Sequence, residues 1–184
     1  MSDWFTFMSD LCSWDLLVNN PVLLGGSGHI VAIDEIMVVR ARQGNSHDQR
    51  QWVFGAVDLM TGQFSMELIT KRDAATLIPL IKRHVLAGSR IWSEERAVYD
   101  NLKDAGYEHE TVNSAQHFVN PETGVHINNV QARWSACKTS IRRRYGVGRH
   151  HLPKFLDEYM WRARHPPPGT LGAILEVMKC RYPV

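Results

Sequence analysis

The sequence predicts an α/β fold in which a mixed five-stranded sheet is flanked by helices. Three observations carry that expectation. Between residues 30 and 69, three apolar, β-branched runs are separated by polar or turn-forming residues and suit an antiparallel meander. Two further short runs, at 89–93 and 110–112, alternate with stretches of helical periodicity. From residue 128 onward the pattern is helical only, broken by glycine and proline.

Each element has its own signal. Trp4, Phe7, Met8, Leu11 and Trp14 recur at helical spacing, so residues 1–20 read as an amphipathic helix. Its other face carries Asp3, Ser9, Asp10 and Ser13, and Ser2 or Asp3 suits a cap. Residues 23–28 are glycine-rich and read as a break. Ile30 to Val39 reads as a strand with Asp34 and Glu35 in its middle, where charges are costly unless they have a purpose. Trp52–Val57 and Phe64–Ile69 follow as strands, with Thr61-Gly62 as the turn between them. Asp73 is placed to cap a helix over 74–86, in which Pro79 should kink the chain or mark the first turn. A strand at 89–93, a helix from about Glu95 to Ala105 and a strand at 110–112 come next. Asn120-Pro121-Glu122-Thr123-Gly124 is a turn signature. Helices are expected over 128–145 and 152–164, and a last one runs from a Thr170 cap to Lys179. This order is that of the RNase H-like fold, in which carboxylates from the first strand, the end of the fourth strand and a later helix converge on one sheet edge. Such convergence suits two-metal phosphoryl transfer.

Composition narrows the function classes. The 184 residues are 44% hydrophobic and 22% charged, with a formal net charge of +2. Coating nucleic acid through bulk charge is excluded, although a local basic patch is not. No apolar run is long enough for a membrane helix, and no secretory signal opens the chain. The expected location is the nucleus in a eukaryotic cell and the cytoplasm otherwise. Cys12, Cys137 and Cys180 are far apart, so neither a disulfide framework nor a Cys-x-x-Cys zinc site is expected.

Three segments stand out against the convergent geometry: Ile33-Asp34-Glu35, then Trp92-Ser93-Glu94-Glu95 with Tyr99 one turn on, then His126 through Trp134. With Gln51-Trp52-Val53-Phe54-Gly55, Ala75 to Pro79, Gly106-Tyr107, Phe118 to His126 and Leu156 to Arg162, they resemble in order and spacing the DDE transposase domain of Merlin-type elements and their bacterial insertion-sequence (ISXO-like) relatives. The resemblance covers about residues 29–165. It implies Mg²⁺- or Mn²⁺-dependent DNA strand transfer by a triad at Asp34, Glu94 and Gln131. This sequence departs from the family's pattern at that triad. The second acid, normally Asp, is Glu94, and the third, normally Glu, is Gln131. The basic, glycine-containing stretch after the first acid is replaced by Ile36-Met37-Val38-Val39. The residues before 29 also lack the metal-ligand spacing of a zinc ribbon.

The chemistry of those departures is plain. Two Mg²⁺ ions bring four positive charges, and Asp34 and Glu94 offset only two of them. The extra methylene of Glu94 moves its oxygens by about an ångström, a displacement that can cost ~100-fold in rate. Gln131 offers one neutral carbonyl oxygen. Glu95 or Glu35 could substitute, but alternation puts Glu35 on the opposite face from Asp34. Asp34 and Glu94 are thus expected to form a weak or lost metal site, with Asp34, Glu94 and Gln131 a vestigial triad.

Two binding surfaces are read beside it. Arg142, Arg143, Arg144 and Arg149 are the densest basic cluster and would serve DNA or RNA; basic residues at a helix end also suit its dipole. His150-His151 is not a metal pair, because neighbouring side chains diverge. Trp4, Phe7, Met8, Leu11 and Trp14 form the surface expected for a protein partner or a homodimer, unless they pack on their own domain. The expected organisation is an N-terminal helix and linker (1–28), an RNase H-like, transposase-derived domain (29–165) and a C-terminal helix (166–184). The expected function is that of a domesticated, catalytically inactive domain acting as an interaction module. The competing reading is an active metal-dependent transposase or nuclease with an Asp-Glu-Gln triad.

Overall fold

The structure, a computed structural model, describes residues 3–39 and 50–183. The chain divides into two compact units. One is Leu23–Arg149, and the other joins Met1–Val22 to His150–Val184.

The Leu23–Arg149 unit holds a five-stranded sheet. Its strands are β2 (Ile30–Val39), β3 (Arg50–Asp58), β4 (Phe64–Ile69), β6 (Arg90–Glu94) and β7 (Glu108–Val112). They lie in the order β4-β3-β2-β6-β7. β2, β3 and β4 run antiparallel, while β6 is parallel to β2 and β7 is parallel to β6. Val31, Ala32, Ile33, Phe54, Ala56 and Ile91 are fully buried, so the central strands are covered on both faces. Helix α2 (Ala74–His84) lies on the face that carries Ser65 and Glu67, both of which bond His84. Helix α3 (Asn128–Arg143) packs against β2 and β3 from the other side. There Trp134 crosses so close to Gly55 that a Cβ on this residue would sit 2.4 Å from the indole ring. Asp73 caps α2, accepting from the Thr76 amide at 2.9 Å, and the helix runs through Pro79 to His84.

Four elements differ from expectation. The glycine-rich segment at 23–28 is not only a break. Its Leu24–Gly25 forms β1, a two-residue parallel ladder with β5 (Val85–Leu86), so the preceding helix stops at His84. The helix expected from Glu95 is a 3₁₀ segment, Ala97–Leu102, and β7 begins two residues early, at Glu108.

The second unit packs α1 (Asp3–Trp14) against α4 (Leu152–Arg164) and α5 (Thr170–Arg181). α1 runs into a π-helical turn, Asp15–Asn19, whose buried Asp15 accepts from the Trp161 indole at 2.8 Å and from Asn19 and Asn20. One helix-end expectation is overturned here. Thr170 does not cap α5; its hydroxyl donates to the His165 carbonyl at 2.6 Å. Ser2 lies outside the described residues. Helix α4 lies in the compact unit formed by the two ends of the chain.

Candidate functional site

Asp34 stands in the middle of β2, opposite Gly55. The β2–β6 register runs Ile30↔Arg90, Val31↔Ile91, Ala32↔Trp92. Asp34 and Glu94 each lie two residues beyond the last of these pairs, so they point to the same face of the sheet. That face is the one α3 covers. Gln131 sits in the first turn of α3, half-buried, one turn before Trp134. The fold therefore turns Asp34 and Glu94 to the face that α3 covers, and Gln131 lies on that helix.

Trp134, not Gln131, makes the direct contact. Its indole N–H donates to Asp34 Oδ2 at 3.1 Å, and the Glu35 amide donates to Asp34 Oδ1 at 2.8 Å. Burial pushes the Asp34 carboxyl up to about 6, and the neighbouring charges of Glu35 and Glu94 add to the rise against those two hydrogen bonds. Nearby, His126 meets Trp92 edge-on at 5.3 Å, and its Nδ1 is buried with no hydrogen-bond partner among the described residues. In the sequence Trp134 is only the last residue of the His126–Trp134 segment. The one signal for its role is its place one turn after Gln131.

The opposite face takes Glu35, as alternation requires, and answers why a second acid sits in an apolar strand. Glu35 is buried, and its Oε2 accepts from Arg72 Nη2 at 2.9 Å and Nε at 3.0 Å. The Arg96 guanidinium and the Tyr99 hydroxyl also donate to it. Burial and the Glu35 charge hold the Tyr99 phenol far above its ordinary value. Arg72 in turn stacks on Trp52, 3.9 Å from the ring centre. Glu35 thus ties the segment just after Glu94 to the strand that carries Asp34, and it is not a substitute ligand. Glu95 is exposed and accepts from Asn113 at 3.1 Å, beside a polar cavity of about 310 Å³ lined also by Gln116, His117 and Glu122.

The donor set facing α3 is two carboxylates and one amide, and both Asp34 oxygens already accept hydrogen bonds. Among the described residues no three His, Cys, Asp or Glu side chains come together to hold a metal ion. These residues do not fit a two-ion centre, which needs more negative charge than Asp34 and Glu94 supply.

The two expected binding surfaces fare differently. Arg142, Arg143, Arg144 and Arg149 are all exposed, at and just beyond the end of α3. The N-terminal stripe is largely used up inside its own unit. Leu11 is fully buried, and Phe7, Met8 and Trp14 are half-buried. Phe7 stacks between Trp4 and Tyr182 at 5.5 and 6.0 Å, and Arg181 lies over Trp14. Even the polar face is engaged: Ser13 donates to Asp157 at 2.7 Å, Ser9 to Glu158 at 3.1 Å, and Lys154 pairs with Asp10. Leu11 can therefore anchor no partner, because an amphipathic helix inserted between two others buries its ridge there. Trp4 and the neighbouring Phe5 remain mostly exposed.

Comparison with known proteins agrees with this architecture. Residues 25–164 match the ISXO2-like transposase domain family, and the chain belongs to it. A Haemophilus influenzae protein described as an uncharacterized transposase-like protein is 28% identical over 90 residues, covering 49% of this chain and 72% of its own length. Among solved structures, a chain of the simian T-cell lymphotropic virus intasome in complex with PP2A regulatory subunit B56 gamma superposes with a TM-score of 0.52 at 14% identity. That match covers 79% of this chain and spans 55% of the viral one. The catalytic core domain of BIV integrase aligns with a TM-score of 0.49 at 16% identity, covering 85% of this chain and 99% of that one. The fold is RNase H-like, and the chain carries a DDE transposase domain. No helix among the described residues is long and apolar enough to cross a membrane.

Proposed function

We propose that this DDE domain no longer carries out strand transfer and serves as a binding module, working in the nucleus of a eukaryotic cell or otherwise in the cytoplasm. The observation that carries the reading is Gln131. It stands on α3 over the Asp34–Glu94 side of the sheet, where the chemistry calls for a third carboxylate. An amide there supplies one neutral oxygen, and the two remaining acids leave two divalent ions under-compensated. The residues of the site instead stabilise one another: the Trp134 indole and the Glu35 amide satisfy Asp34, and the Glu35 cluster anchors the strand behind it. Trp4 and Phe5 are the part of the N-terminal helix that a protein partner or a second copy would meet.

The test is a supercoiled-plasmid nicking assay in Mg²⁺ and Mn²⁺ beside a calorimetric Mn²⁺ titration. The expected result is no nicking and no tight ion binding. Gln131→Glu with Glu94→Asp should then raise Mn²⁺ affinity measurably. The second reading, an active nuclease with an Asp-Glu-Gln triad, draws on the shared orientation of Asp34 and Glu94. Mn²⁺-dependent nicking that vanishes in Asp34→Ala would establish it and end the first.

A further inference from the structure

Helix α3 and the turn after it hold the charge asymmetry of the chain. From Thr123 to Arg149 there are six Lys or Arg residues and no Asp or Glu, so the other 157 residues together carry a net charge of −4. Arg142, Arg143 and Arg144 close this segment's helix, and Tyr145 follows them. Tyr145 has φ 55° and is the one non-glycine residue with a positive φ among those described. At that value the Cβ of an L-residue crowds the following carbonyl, which is why glycine ordinarily occupies this place at a helix end. The capping bonds are made all the same, Tyr145 N–H to the Arg142 carbonyl at 2.9 Å and Gly146 N–H to the Ile141 carbonyl at 3.0 Å. The ring gains no packing in return for the strain, being 93% exposed. A strained, unpacked aromatic makes no contribution to the fold that a glycine would not better, and such outliers cluster where a ligand is met.

An exposed aromatic ring that follows three exposed arginines in the chain is the combination that takes unpaired bases. The ring offers a stacking face to any base, and the arginines meet the phosphates on either side. A duplex would use the arginines alone, because its bases are already stacked on one another. Arg142 keeps donors for this role while its Nε holds to the Lys138 carbonyl at 3.3 Å and its Nη2 to the Thr139 hydroxyl at 3.4 Å. The geometry points to a single-stranded nucleic-acid site formed by Arg142, Arg143, Arg144 and Tyr145, with Tyr145 stacking on one base. This rests on the binding-module reading and names its ligand; it is independent of whether catalysis is lost, which the nicking assay decides.

The experiment is fluorescence anisotropy on the full chain with labelled oligo(dT), oligo(rU) and a duplex, each of about 20 nucleotides. Both single strands should bind more tightly than the duplex, and a preference between them reports a contact to the 2′-hydroxyl. Tyr145→Gly should weaken single-strand binding by roughly 5- to 150-fold, the range of one base–aromatic stack, and change duplex binding less than about twofold. The same variant should keep or raise the thermal midpoint, because the strain is gone. Arg143→Ala should weaken all three ligands and lower the salt slope by about 1. Four results would overturn the site. These are preference for the duplex, no binding at low salt, unchanged single-strand affinity in Tyr145→Gly, or a fall in both affinity and thermal midpoint that marks the tyrosine as structural.

Discussion

Replacing Asp34 by asparagine should stabilise the protein at neutral pH. The folded carboxyl is raised from its ordinary 3.8 to about 6, mainly by burial. A carboxyl raised in this way binds its proton more tightly folded than unfolded. Stability is therefore greatest below the unfolded value and is lost as the pH climbs from about 4 through 6. At about 1.4 kcal/mol per pH unit, the full penalty above pH 7 is about 3 kcal/mol, and at pH 4.5 it is about 1 kcal/mol. Asparagine removes the charge and keeps an oxygen for the Glu35 amide. It cannot also accept from the Trp134 indole, a loss of about 1 kcal/mol at every pH. The net expectation is a gain of about 2 kcal/mol at pH 7.5 and almost none at pH 4.5. Urea denaturation of both proteins in EDTA at the two pH values measures this. A loss of stability at pH 7.5, or an equal change at both, would refute the view that desolvating the Asp34 charge costs more than its two hydrogen bonds return.

Other substitutions probe the surrounding frame. Gly55→Ala places a methyl group 2.4 Å from the Trp134 ring and should cost about 1–3 kcal/mol by chemical denaturation; a neutral result would mean that α3 can shift freely over β3. Glu35→Ala leaves Arg72 and Arg96 without their shared carboxylate and should cost about 3–5 kcal/mol, and a change within about 1 kcal/mol would contradict the buried cluster. Asp15→Ala strands the Trp161 indole donor in the helical unit and should cost about 1–3 kcal/mol, with a shift in tryptophan emission on unfolding. Unchanged stability there would show that Asp15 is dispensable.

The sheet was legible because its strands are apolar, β-branched and long enough for alternation to show, and Asp34 stood out as a charge inside one of them. Its neighbour Glu35 was legible only as lying on the other face, since its partners Arg72 and Arg96 come from elsewhere in the chain and only folding unites them. The Leu24–Gly25 ladder escaped because two residues beside glycines carry no periodicity. The fate of the N-terminal stripe escaped for a different reason: amphipathicity says that a face will be covered, not by what. Trp134 shows the same limit, since a buried tryptophan and a tryptophan that donates to a carboxylate look identical as letters.

The helical unit draws on both ends of the chain, which sets an order of events during synthesis. Residues 23–149 are complete well before α5 leaves the ribosome, so the sheet can fold while α1 still waits for α4 and α5. At ~5–20 residues per second, α1 spends roughly 8–33 s with Leu11 and its neighbours uncovered. Such a delay makes the nascent helix a natural client for chaperones. A circular permutant that joins the two termini and opens the chain between Arg149 and His150 would turn the same helical unit into one continuous segment and remove the wait.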